Sequence, residues 1–261
     1  MNLAISNIAW EEHQDESVYH IMKKYGFSGL EIAPTRIFPE APYAKLDEAA
    51  EWSQKLKEEY NFVVPSMQSI WFGRQENLFD SGEERRTLME YTRKAIDFAA
   101  AIGCKNLVFG CPRNRNCPEG AEPDTVIPFF KELGDYAVSR GTVIGMEANP
   151  PIYNTNYIND TISALELIRQ VASEGFMLNL DVGTMIQNQE KISELAGQVR
   201  YISHVHISEP GLKIIEKRNI HRELKELLMA EHYAGYISVE MGKTVTLSEL
   251  SEILQYIREV F

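Results

Sequence analysis

No stretch of the 261-residue chain approaches the ~20 consecutive apolar residues that a membrane-spanning helix needs. The opening residues, MNLAISNIAW, lack a basic segment followed by a long apolar one, so no secretory leader is expected. Positive charge is also scarce. Lys and Arg total 26 against 38 Asp and Glu, a net charge of −12 that argues against a nucleic-acid partner, since proteins hold polyanions with clustered cations. There are three cysteines, Cys104, Cys111 and Cys117. An odd, small number in a chain large enough to build its own core implies reduced thiols and a cytoplasmic location. Cys111 and Cys117 stand in a C-x5-C spacing with no second pair, short of the four ligands that structural zinc takes. Also missing are a G-x-G-x-x-G after the first strand and any G-x4-G-K-S/T, the usual nucleotide-binding fingerprints. No low-complexity segment, short repeat or linker interrupts the chain, and a single domain over residues 1–261 is expected.

What the chain does have is alternation. Short apolar, β-branched runs fall at about 3–7, 29–33, 62–68, 106–111, 143–148, 176–181, 202–208 and 236–241. Amphipathic stretches rich in Glu, Lys, Leu and Ala fall between them, at about 16–25, 46–60, 83–102, 123–140, 158–174, 188–198, 219–231 and 247–259. Some boundaries carry their own chemistry. Asp160-Thr-Ile-Ser has residues that can cap a helix, and Gly103 can end the long helix before it in a left-handed conformation. Strands alternating with helices imply a parallel sheet, and eight such units predict a closed (β/α)8 TIM barrel, a fold that takes ~250 residues. All loops that follow strands then lie on one face, where catalysis occurs.

Four residues occupy equivalent places at the ends of the last four strands. They are Glu147 in VIGMEAN, Asp181 in FMLNLD, His206 in ISHVHIS and Glu240 in YISVEM, separated by 34, 25 and 34 residues. Each alone reads equally well as a capping or ion-paired group. Together, on neighbouring strands of a barrel rim, three carboxylates and one imidazole make a site for one divalent ion: Mn²⁺, Mg²⁺, Co²⁺ or Zn²⁺. His204, two residues before His206 in the same strand, faces the same way but deeper, which suits a supporting or core role.

EANP around Glu147, LD-x-G around Asp181, H-x-H-x-S-E over His204–Glu209 and Y-x-S-x-E over Tyr236–Glu240 resemble the sugar isomerase/epimerase superfamily. Its members are xylose isomerase-like TIM barrels and include ketose 3-epimerases, hydroxypyruvate isomerases, inosose dehydratases and endonuclease IV. The resemblance implies that Glu147, Asp181, His206 and Glu240 bind the metal, and that Glu147 and Glu240 also move protons. It implies a metal-dependent isomerase or epimerase of a small sugar or polyhydroxy carbonyl compound, working through a metal-stabilised enediolate. A dehydratase of an inosose-like keto-polyol and a non-catalytic sugar-binding barrel are the alternatives. The three-zinc endonuclease branch fits poorly with only six histidines. Two positions depart from the epimerase pattern. Thr184 stands where a substrate-touching histidine is common, and Glu209 to Lys213 run where an arginine is common, with Lys213 the nearest cation.

Further candidates for substrate contact lie in the strand-end loops. Glu31 and Gln68 end the second and third strands, and Asn149 follows Glu147, with Asn154 and Asn156 beyond it. Arg113 and Arg115, in the loop GCPRNRNCPEG, are guanidiniums suited to a phosphorylated or acidic sugar, or else solvated loop charges. Lys243 is a weaker candidate of the same kind. Trp10 and Trp71, with Tyr43 and Phe72, are aromatics that could face a sugar or simply anchor loops. His13, His20 and His232 fall on loop or helical stretches and read as surface residues, while His221 is ambiguous. Oligomeric state is not legible, and an assembly of identical chains is compatible with all of this.

Overall fold

The computed structural model describes residues 1–243 and 246–261. Its centre is an eight-stranded parallel sheet: β1 (Asn2–Ser6), β2 (Gly29–Glu31), β3 (Ser66–Met67), β4 (Asn106–Phe109), β5 (Val143–Met146), β6 (Phe176–Asp181), β7 (Ile202–Ile207) and β8 (Tyr236–Val239). Consecutive strands are neighbours, and β8 returns to pair with β1 through Asn2–Tyr236 to Ile5–Val239. The barrel's thinnest junction lies between β2 and β3, joined by bridges at Gly29–Val63 and Ile32–Met67. Pro65 explains why the expected strand at 62–68 shrinks to two ladder residues, since proline has no N–H to donate.

The outer layer consists of α1 (Asp15–Lys24), α2 (Pro34–Ile37), α3 (Leu46–Tyr60), α4 (Gly82–Ala101), α5 (Ile127–Ser139), α6 (Thr161–Val171), α7 (Val182–Asn188), α8 (Asn219–Ala230) and α9 (Leu247–Val260). Their buried residues recur at helical spacing, as in α9 with Leu250, Ile253, Leu254, Ile257 and Val260. Asp160 does cap α6, accepting from the Ser163 N–H at 2.8 Å. The segment at 188–198 does not form the expected helix. Instead α7 starts directly from β6, capped by the Asp181 side chain, and ends where Gln189 turns left-handed at φ 58°. Only 3-10 turns at Ile192–Leu195 and Val199–Tyr201 follow. The stretch expected to be helical from 123 opens likewise as a 3-10 turn, Pro123–Val126, before α5. Among the described residues no helix is long and apolar enough to cross a membrane.

Much of the barrel interior is polar. Low in the barrel, Asn106 donates to Ser66 Oγ at 3.0 Å, and the Ser203 hydroxyl donates to Asn106 Oδ1 at 2.7 Å. Asn179, on the next strands round, donates upward to Glu147 Oε1 at 2.9 Å. These groups fit because β5 carries Gly145 beside them. A Cβ there would lie 2.6 Å from Asn106 Oδ1 and 3.0 Å from Asn179 Cβ. Satisfied buried polar groups of this kind fix one arrangement of the strands. Gly145→Ala is therefore expected to destabilise the fold by about 1–3 kcal/mol through overpacking, measured by urea denaturation. Unchanged stability would show that the asparagine layer yields easily.

Candidate metal centre and active site

Parallel strands bring their carboxyl ends to one rim, and the register sets the depth of each residue. Asp181 and His206 are direct partners across β6 and β7, and Glu147 and Glu240 directly follow β5 and β8. Ligand-type atoms of Glu147, Asp181, His206 and Glu240 lie within 4.8 Å of one another. His206 is central and fully buried. Its Nδ1 is 3.0 Å from Glu147 Oε1 and 3.2 Å from Glu240 Oε2, and its Nε2 is 3.0 Å from Glu31 Oε2.

Glu31 lies behind the imidazole. Its Oε2 is also 3.0 Å from His204 Nε2, and its Oε1 accepts from Gln68 Nε2 at 3.2 Å. Burial pushes the Glu31 carboxyl up, but the two imidazoles outweigh it and hold Glu31 well below the usual carboxylate range. Burial pulls His206 down, yet Glu31, Glu240 and Glu147 overcome this and raise it well above its ordinary value. His204, with burial dominant, is lowered. It also contacts Ser238 Oγ at 2.9 Å, deeper in the barrel as its spacing from His206 predicts.

The carboxylates facing the mouth are short of positive charge. Burial raises Glu240 to about 7, with His206 partly offsetting it and Glu147 and Asp181 adding repulsion. Asp181 is raised by burial and by Glu147, against the pull of His206, Ser208 and Thr184. Ser208 donates to Asp181 Oδ1, and the Thr184 N–H donates to Oδ2 at 2.8 Å. The donor set, three carboxylates and an imidazole oriented from behind by Glu31, fits a divalent ion on the Nδ1 side of His206, where Glu147 and Glu240 converge.

The remaining candidates separate by location. Gln68 is buried and directs its amide to Ser6 and Glu31. Asn149 lies beside Glu147, donating to Oε2 at 3.3 Å. Thr184 is buried, its hydroxyl 2.8 Å from both Asp181 Oδ2 and the Ala148 carbonyl. Trp10 and Trp71 are core residues whose indoles donate to Asp15 and Thr92, and Tyr43 is buried with its hydroxyl on the Ile70 carbonyl. Arg115 is fully buried, donating to the Glu147 carbonyl and Asn149 Oδ1, each at 2.9 Å. It braces the rim from behind. Glu209 is buried in an ion pair with Arg218 at 2.6 Å and closes its own loop. Arg113, Lys213 and Phe72 are exposed. Lys243 pairs with Glu11 at 2.7 Å. Asn156 ties the loop after β5 to Cys117, and the Asn154 carbonyl accepts from Asn116. His221 is buried against Tyr256, away from the rim, while His13, His20 and His232 are exposed.

Asn179 and Tyr153 escaped the sequence reading. Asn179 precedes Asp181 by two residues, the same spacing that flagged His204, and Asn179 Nδ2 lies 3.3 Å from His206 Nδ1. Tyr153 is half-buried, and its hydroxyl oxygen accepts the Gly211 N–H at 2.8 Å, joining the loops after β5 and β7. Burial raises its phenol, and Asp181, Glu240 and Glu147 push it further, which places it in the field of the cluster.

A model of the xylose isomerase-like TIM barrel matches residues 19–259. No curated protein matches the sequence. Solved structures similar to it include D-psicose 3-epimerase from Clostridium cellulolyticum H10, at 17% identity and TM-score 0.76 over 100% of this chain and 99% of that one. A 3-keto-D-glucoside 4-epimerase from E. coli has 19% identity and TM-score 0.76, covering 99% of each chain. An AP endonuclease, family 2, from Brucella melitensis has 17% identity and TM-score 0.72, covering 96% of each. Likeness at these identities shows the fold.

Two measurements follow from the geometry. Glu31→Gln should weaken divalent-ion binding about 10–100-fold in calorimetry, because it removes the carboxylate that orients His206. Unaltered affinity would dissociate Glu31 from the centre. In metal-free protein, Glu240 and Asp181 keep protons that the unfolded chain loses at lower pH, and His206 keeps one that it loses near neutrality. All three make stability fall as pH rises; lowered His204 and His221 act oppositely, below their ordinary value. The melting temperature of metal-free protein should therefore drop from about pH 6.5 to about pH 8, where His206 loses its proton without that opposition, and Mn²⁺ should raise it most at the higher pH. A flat profile would show that the cluster is not coupled to folding.

Proposed function

The chain belongs to the xylose isomerase-like TIM-barrel family, and from that membership we propose that it is a divalent-metal-dependent isomerase or epimerase of a small sugar or polyhydroxy carbonyl compound. The observation that carries this reading is the placement of Glu147 and Glu240, two carboxylates converging on one imidazole nitrogen at 3.0 and 3.2 Å. Glu147, Asp181, His206 and Glu240 would hold a divalent ion, which would supply Lewis acidity at a substrate carbonyl and so acidify the adjacent C–H.

The chain's own groups supply the rest. Glu147 and Glu240 come from strands β5 and β8, separated in the sheet by β6 and β7, so they approach a sugar carbon from different sides. One carboxylate takes the proton from carbon and the other returns one, to the opposite face in an epimerisation. Burial raises Glu240 in the metal-free protein, and a cation bound there would favour the ionised carboxylate that a base needs. Asn179 and Asn149 hold the Glu147 carboxylate from below and beside, and Arg115 fixes its backbone carbonyl. Sugar epimerases are among the similar structures, which supports a ketose or keto-sugar substrate.

One observation favours a second reading. The Tyr153 oxygen is engaged by the Gly211 N–H, while its own proton meets no acceptor among the described residues, so it can protonate a departing hydroxyl. Proton removal from carbon followed by loss of the neighbouring hydroxyl as water would make the protein a dehydratase of a keto-polyol.

The discriminating experiment incubates metal-loaded protein in D₂O with D-psicose, D-tagatose, L-ribulose, their phosphate esters and inososes, followed by NMR. Wild type should place deuterium on the carbon beside the carbonyl of at least one, without loss of water. Glu147→Gln and Glu240→Gln should each slow exchange about 10²–10⁴-fold while folding is kept. Full exchange in both variants would remove them from proton transfer, an enone product would favour the dehydratase, and binding without exchange would leave a sugar-binding barrel.

A further inference from the structure

Beside the rim, between the loops after β3 and β4, lies a depression of about 420 Å³. Its walls include Ser69, Trp71, Phe72, Arg74, Cys111 and Arg113. We propose that it is a subsite for an anionic substituent of the substrate, a phosphate or carboxylate remote from the reacting carbon, with Arg113 as its counter-ion. This deepens the sugar isomerase reading and rests on it.

The other arginines of the strand-end loops are engaged. Arg36 pairs with Asp15, Arg74 with Glu76 and Arg218 with Glu209, and Arg115 is buried on Asn149 and the Glu147 carbonyl. Arg113 is exposed and has no hydrogen-bond or ion-pair partner among the described residues, in a chain with 38 acidic side chains against 26 basic ones. Glu76 already neutralises Arg74, so Arg113 gives the depression a net positive charge. A guanidinium pairs with phosphate or carboxylate through two parallel hydrogen bonds, a geometry that a neutral sugar hydroxyl cannot reproduce.

The frame around Arg113 is fixed. Asn114 donates to the carbonyls of Arg74 and Glu76 at 3.1 and 2.8 Å, and its own carbonyl accepts the Leu78 N–H at 2.8 Å. Buried Arg115 follows, and Cys111 precedes in the left-handed region at φ 44°. Arg113 alone in this turn projects outward from a loop tied on both sides. Phe72 forms an opposite wall and is 68% exposed, an apolar surface against which a sugar C–H face can lie.

The depression lies beside the end of β4, the strand that adjoins Glu147. Gly110 separates Cys111 from β4, and a Cβ at Gly110 would stand 2.8 Å from Glu147 Oε2. Cys111, on the wall of the depression, is thus one residue along the chain from the glycine that abuts Glu147. The carboxylates of the rim repel an anion, so an anionic group on the substrate must lie beyond them, where Arg113 stands.

The test uses the full-length, metal-loaded protein and matched pairs of ketoses: neutral, terminal phosphate ester, and the acid oxidised at the terminal carbon. Wild type should favour one anionic member over its neutral partner by about tenfold or more in deuterium exchange per unit kcat/KM, and which one identifies the source of the anion. Arg113→Ala should reduce that anionic-to-neutral ratio at least tenfold, mainly through KM, and Arg113→Lys should restore part of it. An unchanged ratio in Arg113→Ala, or a wild-type preference for the neutral sugar, overturns the proposal. If no sugar exchanges, the isomerase reading has failed separately, and calorimetry with the same phosphate esters decides the subsite. Binding lost in Arg113→Ala supports it, and equal binding in wild type and variant overturns it.

Discussion

The site is organised by a single buried imidazole with carboxylates on both edges. His206 has Glu31 at 3.0 Å on Nε2 and Glu147 and Glu240 at 3.0 and 3.2 Å on Nδ1. Placing so many acidic groups in a water-poor interior is unfavourable unless positive charge is supplied, because burial disfavours every charged form. Glu31 solves its share locally, with two imidazoles and the Gln68 amide around it, and is held ionised. The mouth carboxylates have no such local solution, and the raised proton affinities of Glu240 and Asp181 are the result. The rear of the imidazole is electrostatically complete and the front is not. A cation placed at the front would remove this asymmetry.

The barrel makes the asymmetry possible. Eight parallel strands deliver side chains at graded depths along one axis, so residues two apart on a strand form successive tiers. Asn179 and His204 lie one tier below Asp181 and His206, and the register pairs each with its neighbour across β6 and β7. The lower tier supplies neutral donors where further charge would be costly. Asn179 supports Glu147 from below, and Ser238 receives His204. A core of only aliphatic residues would pack as well but would leave the rim carboxylates free to choose other rotamers. The polar interior gives orientation rather than net stability.

The eight-unit alternation was legible because β-branched runs and amphipathic stretches differ in period, and the four rim residues because strand ends share a face. What remained hidden had short or non-periodic causes. The helix α7 begins on the residue after Asp181, so no loop marked its start, and the same carboxylate that faces the mouth also caps it. Pro65 was visible, yet its effect on strand length depends on which N–H groups the neighbouring strand needs. Arg113 and Arg115 are identical in type and two residues apart, but the turn between them points one outward and buries the other. No sequence period governs a turn of that length, so only the coordinates separate a bracing arginine from an available one.

Thr184 is spent on the rim itself. At the place where the superfamily resemblance leads one to seek a histidine on the substrate, its hydroxyl lies against Asp181 and the Ala148 carbonyl. It is buried and steadies Asp181, with Ser208 holding the other carboxylate oxygen and the Gly183 N–H held by Ser208 in turn. On the β7 side, Glu209 is likewise consumed by Arg218 and the Glu216 N–H. The buried polar groups on that half of the rim, Asp181, Thr184, Ser208 and Glu209, are therefore committed within the protein, and only Lys213 there is exposed without a partner among the described residues. Further uncommitted groups lie on the other side and overhead: the Arg113 guanidinium beyond β4 and the Tyr153 hydroxyl proton above β5. Discrimination between substrates depends on groups left without a partner in the free protein, because only these lose something when the wrong ligand binds. Such groups stand on the β4–β5 side of the mouth, next to Glu147, whereas on the β6–β7 side Asp181, Thr184 and Ser208 hold one another and Glu209 is held by Arg218.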